Sequence, residues 1–408
     1  MQIIERNTDF IRPYIDKPLI KVLTGLRRAG KSTYMSIIKG AFQSISDNDG
    51  ADIIAPNSNV VHINLEALEH IDVDSPTALL RAISSKLLPS TKYILLDEVQ
   101  QIDGWERVVN GLLADGKLDI YITGSNSKML SGELSTLLGG RYVQFLIQTL
   151  SFAEYMQFTN ASGSFVNYIE VGGFPVLHTA NYSSQDAAKI VSDIFDSTIL
   201  RDTVERHGIR NIDLLKRIIV FVASNIGSTF SAKSVSDYMK SQIRKVDIET
   251  VYNYLSHLEE AYIISRVKRY DIVGKQHLKT DEKYYLGDHG FINALFGFSP
   301  RYIPGVLENI VYHELIRRGY EVAVGKLGKL EIDFVAWKGD EATYIQVSYL
   351  MENEETFARE VEPLKLARAS YEKILLTMDK SRLGNYDGIK CRLLEEWLLD
   401  SNENRKAS

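Results

Sequence analysis

Cysteine is almost missing from this chain: Cys391 stands alone among 408 residues. That excludes an internal disulfide and the cysteine-pair spacings of structural zinc modules, and it fits a reducing compartment. Proline, with 9 residues, and glycine, with 27, are too sparse for collagen-like or low-complexity chains. No apolar run approaches the roughly eighteen residues of a membrane-spanning helix, and Met1–Phe10 carries Glu5, Arg6 and Asp9 where a signal peptide needs an apolar centre. The expectation is a cytoplasmic protein with no membrane contact. A surplus of positive charge is also lacking, since 47 Lys/Arg face 53 Asp/Glu for a net charge of -6. Nucleic-acid binding therefore needs a local patch.

What is present is enough for several cores, because a chain of this length exceeds one ordinary domain. Strand-like runs at Leu19–Thr24, Asn59–Leu65, Tyr93–Leu96 and Leu118–Thr123 alternate with helical patterns, which predicts a doubly wound parallel sheet over residues 1–150. Residues 151–205 read as a helical lid, broken at Gly172-Gly173-Phe-Pro175. Over 206–285, the helical stretches Leu214–Ser224, Ser231–Lys240 and Asp247–Ala261 precede the strand-like Ile263–Tyr270, the parts of a winged helix. A last α/β module is expected over 286–400, in the order αβββαβ, with 401–408 as a frayed tail.

The first chemical signal is Gly25-Leu26-Arg27-Arg28-Ala29-Gly30-Lys31-Ser32, a match to G-x4-G-K-S/T. Its glycines let backbone N–H groups curl around phosphates, Lys31 reaches the outer phosphates, and Ser32 holds magnesium, with Thr33 next in the helix behind the loop. The second is Tyr93-Ile-Leu-Leu-Asp97-Glu98, an apolar strand ending in two acids. Asp97 is expected on the magnesium and Glu98 on the attacking water, on a strand neighbouring that of the loop. A site for ATP and Mg2+ is therefore expected.

Three further features have a functional reading beside a bland one. Ser125 and Asn126, after the strand Ile120–Thr123, either touch the γ-phosphate or the water, or form a simple turn. Asn64 either restrains Glu98 or turns the chain. Arg141 either supplies transition-state charge to its own or a neighbour's ATP, or is a surface residue.

Gly25-Leu-Arg-Arg-Ala-Gly-Lys-Ser, Leu95-Leu-Asp-Glu-Val-Gln, Thr123-Gly-Ser-Asn and Gly140-Arg-Tyr, followed by Leu150-Ser-Phe-Ala-Glu-Tyr, make the first half similar to AAA+ ATPases of bacteria and archaea. Gly173-Phe-Pro, Leu200-Arg-Asp, Lys283-Tyr-Tyr-Leu-Gly-Asp-His-Gly and Glu331-Ile-Asp-Phe-Val extend the match. The whole chain resembles a prokaryotic group, related to the AAA+ and STAND lineages, that joins such a core to a C-terminal domain of unknown function. The resemblance implies a P-loop core, a winged-helix middle and an end similar to the PD-(D/E)xK nuclease, or restriction-endonuclease-like, fold. It implies ATP hydrolysis without naming a cellular task. It leaves oligomeric state open between a homo-oligomeric ring and a monomer.

In the last module Glu308, Asp333 and Gln346 fall where that nuclease fold places its acids, and Glu308 and Asp333 either offer two oxygen ligands to magnesium or are kept for structure or nucleic-acid contact. The third motif, Gln346-Val347-Ser348, lacks both its acid and its lysine, so an inactive nuclease fold is expected. Between Glu205 and Lys283 there are 14 Lys/Arg against 10 Asp/Glu. This permits DNA contact through a recognition helix Asp247–Glu260 and a wing near Arg266, Lys268 and Arg269. The leading reading is a DNA-associated ATPase. The alternatives are an ATP-gated protein scaffold and an ATP-dependent nuclease.

Overall fold

The computed structural model describes residues 6–44, 59–124, 136–180, 182–241, 246–278, 281–367 and 371–400. The chain divides into two compact units, Met1–Thr149 and Leu150–Ser408.

The first unit alternates strands and helices: β1 (Ile20–Thr24), α1 (Lys31–Ser44), β2 (Val60–Asn64), α2 (Pro76–Lys86), β3 (Tyr93–Asp97), α3 (Trp105–Ala114), β4 (Asp119–Thr123) and β5 (Tyr142–Leu146). The strands form one parallel sheet in the order β2-β3-β4-β1-β5. β1, β3 and β4 are buried at every position, as a sheet covered on both faces requires. Alternate residues of these strands feed two cores. Ile20, Val22, Ile94 and Leu96 pack with Ile83 and Val109, whereas Leu23, Leu95 and Tyr121 pack with Met35, Ile38 and Phe42. Helix α2 starts where Ser75 Oγ accepts from the Ala78 amide and Pro76 takes the first turn.

Two features depart from the sequence reading. β4 lies between β1 and β3, so the strand carrying Asp97 does not adjoin the strand feeding the Gly-rich loop. β5 escapes notice because it is an edge strand, half-buried and interrupted by Gln144.

The second unit opens with α4 (Phe152–Phe158), α5 (Phe165–Val171) and α6 (Ser184–Thr198), the last running on as a π-helical stretch Ile199–Glu205. Next come α7 (Ile212–Ser224), β6 (Thr229–Phe230), α8 (Ala232–Ser241), α9 (Ile248–Glu260), β7 (Ile264–Val267), β8 (Arg269–Asp271), β9 (Gln276–His277) and β10 (Glu282–Leu286). The chain ends with α10 (Gly290–Phe296), α11 (Ile303–Arg317), β11 (Glu321–Leu327), β12 (Leu330–Lys338), β13 (Glu341–Ser348), α12 (Glu354–Leu366), β14 (Glu372–Thr377), β15 (Gly384–Tyr386), β16 (Ile389–Leu393) and α13 (Leu394–Leu399). Strands β6, β10 and β7 form a small antiparallel sheet beside α7–α9. The other eight form a mixed sheet in the order β15-β16-β14-β13-β12-β11-β8-β9.

The segment expected to be a free wing is used otherwise. Arg269–Asp271 pairs in parallel with Val324–Lys326, so the last sheet begins inside the expected 206–285 module. Strand β11 would otherwise present an open edge of unpaired backbone groups, and β8 covers it. Among the described residues no helix is long and apolar enough to cross a membrane.

Candidate functional site

Parallel pairing aligns the carboxyl ends of the central strands: Leu23 is level with Thr123, and Ile122 with Leu96. The loop after β1 and the acids after β3 therefore open on the same edge of the first unit's sheet. Gly25 has φ +141°, and a Cβ there would come within 2.1 Å of the Ile147 carbonyl oxygen. Backbone approach therefore reserves the position for glycine. Lys31 is buried, its Nζ donating to the Gly25 and Leu26 carbonyls at 3.0 and 3.1 Å. Helix α1 starts at Lys31, so its first-turn amides lack intrahelical acceptors and face the loop, the usual geometry for an anion. Of the remaining loop residues, Leu26 and Ala29 are buried, Arg28 is exposed with φ +62°, and Thr33 is half-buried.

Arg6 braces this loop from outside the motif. Its guanidinium donates to Ala29 O at 2.9 Å and to Gln148 O at 2.9 Å, and lies 4.5 Å from the Tyr34 ring centroid. Arg27 meets an acid rather than open solvent, with Nη2 3.8 Å from Glu66.

At the end of β3, Asp97 is buried and its Oδ2 has no hydrogen-bond partner. Burial pushes its carboxyl above the usual range; the Thr123 and Ser32 hydroxyls and the Lys31 charge pull back, and the Glu98 charge adds to the rise. A buried carboxylate oxygen without a donor, facing Ser32 and near Lys31, has the oxygen chemistry a magnesium ion or its water shell takes up. Glu98 is buried in the left-handed conformation, φ 57° and ψ 47°, which a non-glycine residue adopts at a cost of about 1–3 kcal/mol. The Gln100 side-chain amide donates to Glu98 Oε2. Asn64 Oδ1 accepts instead from the Glu66 amide at 2.9 Å, so its side chain closes a local turn rather than restraining Glu98.

The residue that the sequence reading passed over is Thr123, the last of β4. Its hydroxyl donates to Asp97 Oδ1 and accepts from the Glu98 amide at 2.9 Å. Because β4 stands between the other two strands, its terminal hydroxyl orients both acids. The expected third-strand residues, Ser125 and Asn126, lie outside the described residues. Thr123→Val keeps the shape and removes both bonds. It is expected to lower ATP turnover about tenfold with nucleotide affinity nearly unchanged, measured as kcat against the Kd of a fluorescent ATP analogue.

Arg141 is elsewhere. It precedes β5, its carbonyl accepts from the Ile20 amide at 2.9 Å, and its Nη2 donates to Asn110 at 3.1 Å. That is the amino end of the sheet, a full strand length of about 16 Å from the loop edge. That position is far from the chain's own loop and leaves two readings, a neighbouring copy's nucleotide or a surface residue.

In the second unit the acids read as candidate magnesium ligands surround a lysine. Lys283 Nζ of β10 lies 2.9 Å from each of Glu308 Oε2, Glu331 Oε1 and Asp333 Oδ1. The Tyr285 hydroxyl donates to Glu308 at 3.2 Å, and Asp333 Oδ2 accepts from the Val347 amide at 2.9 Å. Gln346 accepts from the Asp333 amide and donates to Glu360, each at 3.2 Å. Burial is the largest influence on Lys283 and lowers its pKa, yet Asp333, Glu308 and Glu331 together outweigh it, so the ammonium stays charged. Glu308 is pushed up to about 8, mainly by burial and then by Asp333. An ammonium thus lies between Glu308 and Asp333, the two acids read as magnesium ligands or as structural residues.

Two of the three basic residues of the expected wing are also engaged. Arg266 lies 3.4 Å from Glu259 and 3.8 Å from Glu282, and Arg269 is 2.7 Å from Asp281.

Residues 17–156 match the family model of an AAA domain, and residues 162–302 match a domain of unknown function. The latter covers the middle of the chain rather than its C-terminal end. An uncharacterized protein of Haemophilus influenzae is 36% identical over 94% of this chain and 95% of its own length. One of Methanocaldococcus jannaschii is 31% identical over 85% of this chain and 78% of its own. Among solved structures, a Walker-type ATPase of Pyrococcus abyssi superposes with a TM-score of 0.47 at 14% identity, covering 70% of this chain and 93% of that one.

Proposed function

The chain belongs to the family of these two uncharacterized proteins and carries an AAA domain of the P-loop ATPase class, and from that premise we propose that it binds ATP with magnesium and hydrolyses it. The observation that carries this is the Thr123 hydroxyl joined to both Asp97 and Glu98 at the edge where Gly25–Thr33 opens. The loop amides and Lys31 cradle the phosphates, Ser32 and Asp97 hold the magnesium, and Glu98 orients and deprotonates water. When bound, the metal neutralises charge on the phosphate oxygens. Thr123 and Gln100 hold the two acids, and Arg141 serves a neighbouring copy in a homo-oligomer.

Hydrolysis drives rearrangement of the second unit, in which α7–α9 and the β6-β10-β7 sheet act as a winged helix and the last sheet as a nuclease-like fold without cleavage. The local excess of basic residues supports a DNA-associated role. A second reading, an ATP-gated protein scaffold, is favoured by the ion pairs that neutralise Arg266 and Arg269 and by the pairing of β8 into the last sheet.

ATP turnover measured with and without duplex DNA separates the two readings. A rise of about threefold or more that fades between 50 and 200 mM salt supports the first, because phosphate contacts weaken steeply over that range. Unchanged turnover at low salt overturns it in favour of the scaffold.

A further inference from the structure

Two histidines and a glutamate of the second unit converge without any role in nucleotide chemistry. His257 and Glu260 are one helical turn apart on α9 and share a face. His207 reaches them from the helical turn that continues the Ile199–Glu205 stretch. The two imidazoles stack with centroids 3.7 Å apart and planes 20° apart. His207 Nε2 is 3.1 Å and His257 Nδ1 is 4.0 Å from Glu260 Oε2, and the three donor atoms all lie within 4.8 Å of one another.

Both ring nitrogens are shut off from solvent, and neither makes a hydrogen bond. The 3.1 Å contact lacks hydrogen-bond geometry. Two buried, unpartnered nitrogens beside one carboxylate oxygen are what a metal site without its ion looks like, since such atoms in ordinary interiors are paired.

We propose that His207, His257 and Glu260 bind one divalent ion of the zinc class. Ligand bonds of about 2.0–2.1 Å to a tetrahedral ion place the donors about 3.3–3.4 Å apart, and the two measured separations straddle that spacing. Two imidazole nitrogens with one carboxylate oxygen suit zinc, cobalt or nickel. Magnesium and calcium select all-oxygen shells. The ion ties the end of the helix that precedes α7–α9 to the third helix of that set, and it leaves one coordination position for water.

The test is a titration of the chelator-treated full chain with zinc chloride in nucleotide-free buffer, followed by calorimetry. One saturable equivalent is expected, undisturbed by millimolar magnesium and retained in Lys31→Ala. His257→Ala and Glu260→Gln are each expected to weaken it at least tenfold. Glu260→Gln keeps the size of a partly exposed side chain, and circular dichroism checks that it is folded. Cobalt in place of zinc is expected to give the visible bands of a tetrahedral site. Absence of a saturable equivalent, wild-type affinity in both His257→Ala and Glu260→Gln, or loss in Lys31→Ala overturns the proposal.

Discussion

Glu98→Gln is expected to bind ATP with nearly wild-type affinity and to turn it over about 100-fold more slowly or worse, the scale on which a positioned base acts. The amide keeps the size of the carboxylate and can still pair with Gln100, so the backbone at φ 57° and its bond to Thr123 are preserved. What is lost is the basic oxygen. Lys31→Ala gives the opposite pattern. The Lys31 ammonium lies against the Gly25 and Leu26 carbonyls at the mouth of the loop, and losing it removes the positive charge expected to meet the outer phosphates. Affinity is expected to fall about 100-fold, since charge-assisted hydrogen bonds to phosphate are the strong ones. Equilibrium binding and single-turnover hydrolysis separate the two defects. If Glu98→Gln turned over at the wild-type rate, Glu98 would not be the base.

The loop and the two acids were legible because their chemistry is local. Glycines, lysine and serine at fixed spacing between a strand and a helix mark a candidate phosphate loop, and an apolar strand ending in Asp-Glu puts two acids at a strand end, where the company of that loop favours a site over a solvated turn. Thr123 was not legible, because its value depends on β4 lying between β1 and β3, a fact of spatial order that neighbouring residues do not encode. Arg141 stayed undecided for a related reason: without β5 recognised, nothing said which end of the sheet it occupied. Arg6 lies far from the motif and acts on it through carbonyls, which carry no sequence signal. The helices of the second unit were readable from their apolar spacing. The uptake of Arg269–Asp271 into the last sheet was not, since a three-residue strand with polar side chains looks like a wing.

The last case is Lys283, whose partners lie 25 to 50 residues away. Lys283→Met keeps the stem of the side chain and removes only the ammonium. It leaves Glu308 and Asp333, 12% and 9% exposed, facing one another without a counter-charge. Breaking a buried ion pair from one side costs about 3–5 kcal/mol. Glu331 is 36% exposed and adds little, because water screens it.

The loss is expected to depend on pH in a definite direction. Glu308 already has its folded pKa raised to about 8 from an ordinary 4.5. Its contribution is therefore fully present below about pH 4.5 and is lost as pH rises through 8. Removing Lys283 takes away the charge that held this value down, so the Glu308 carboxyl holds its proton to higher pH and the folded state loses more on its ionisation. The difference in unfolding free energy between wild type and Lys283→Met should accordingly be smallest near pH 5 and grow toward pH 8.5, read from urea denaturation at each pH. A constant gap would mean that the lysine stabilises by packing its stem. A widening gap would mean that the ammonium is the cation around which Glu308 and Asp333 are assembled.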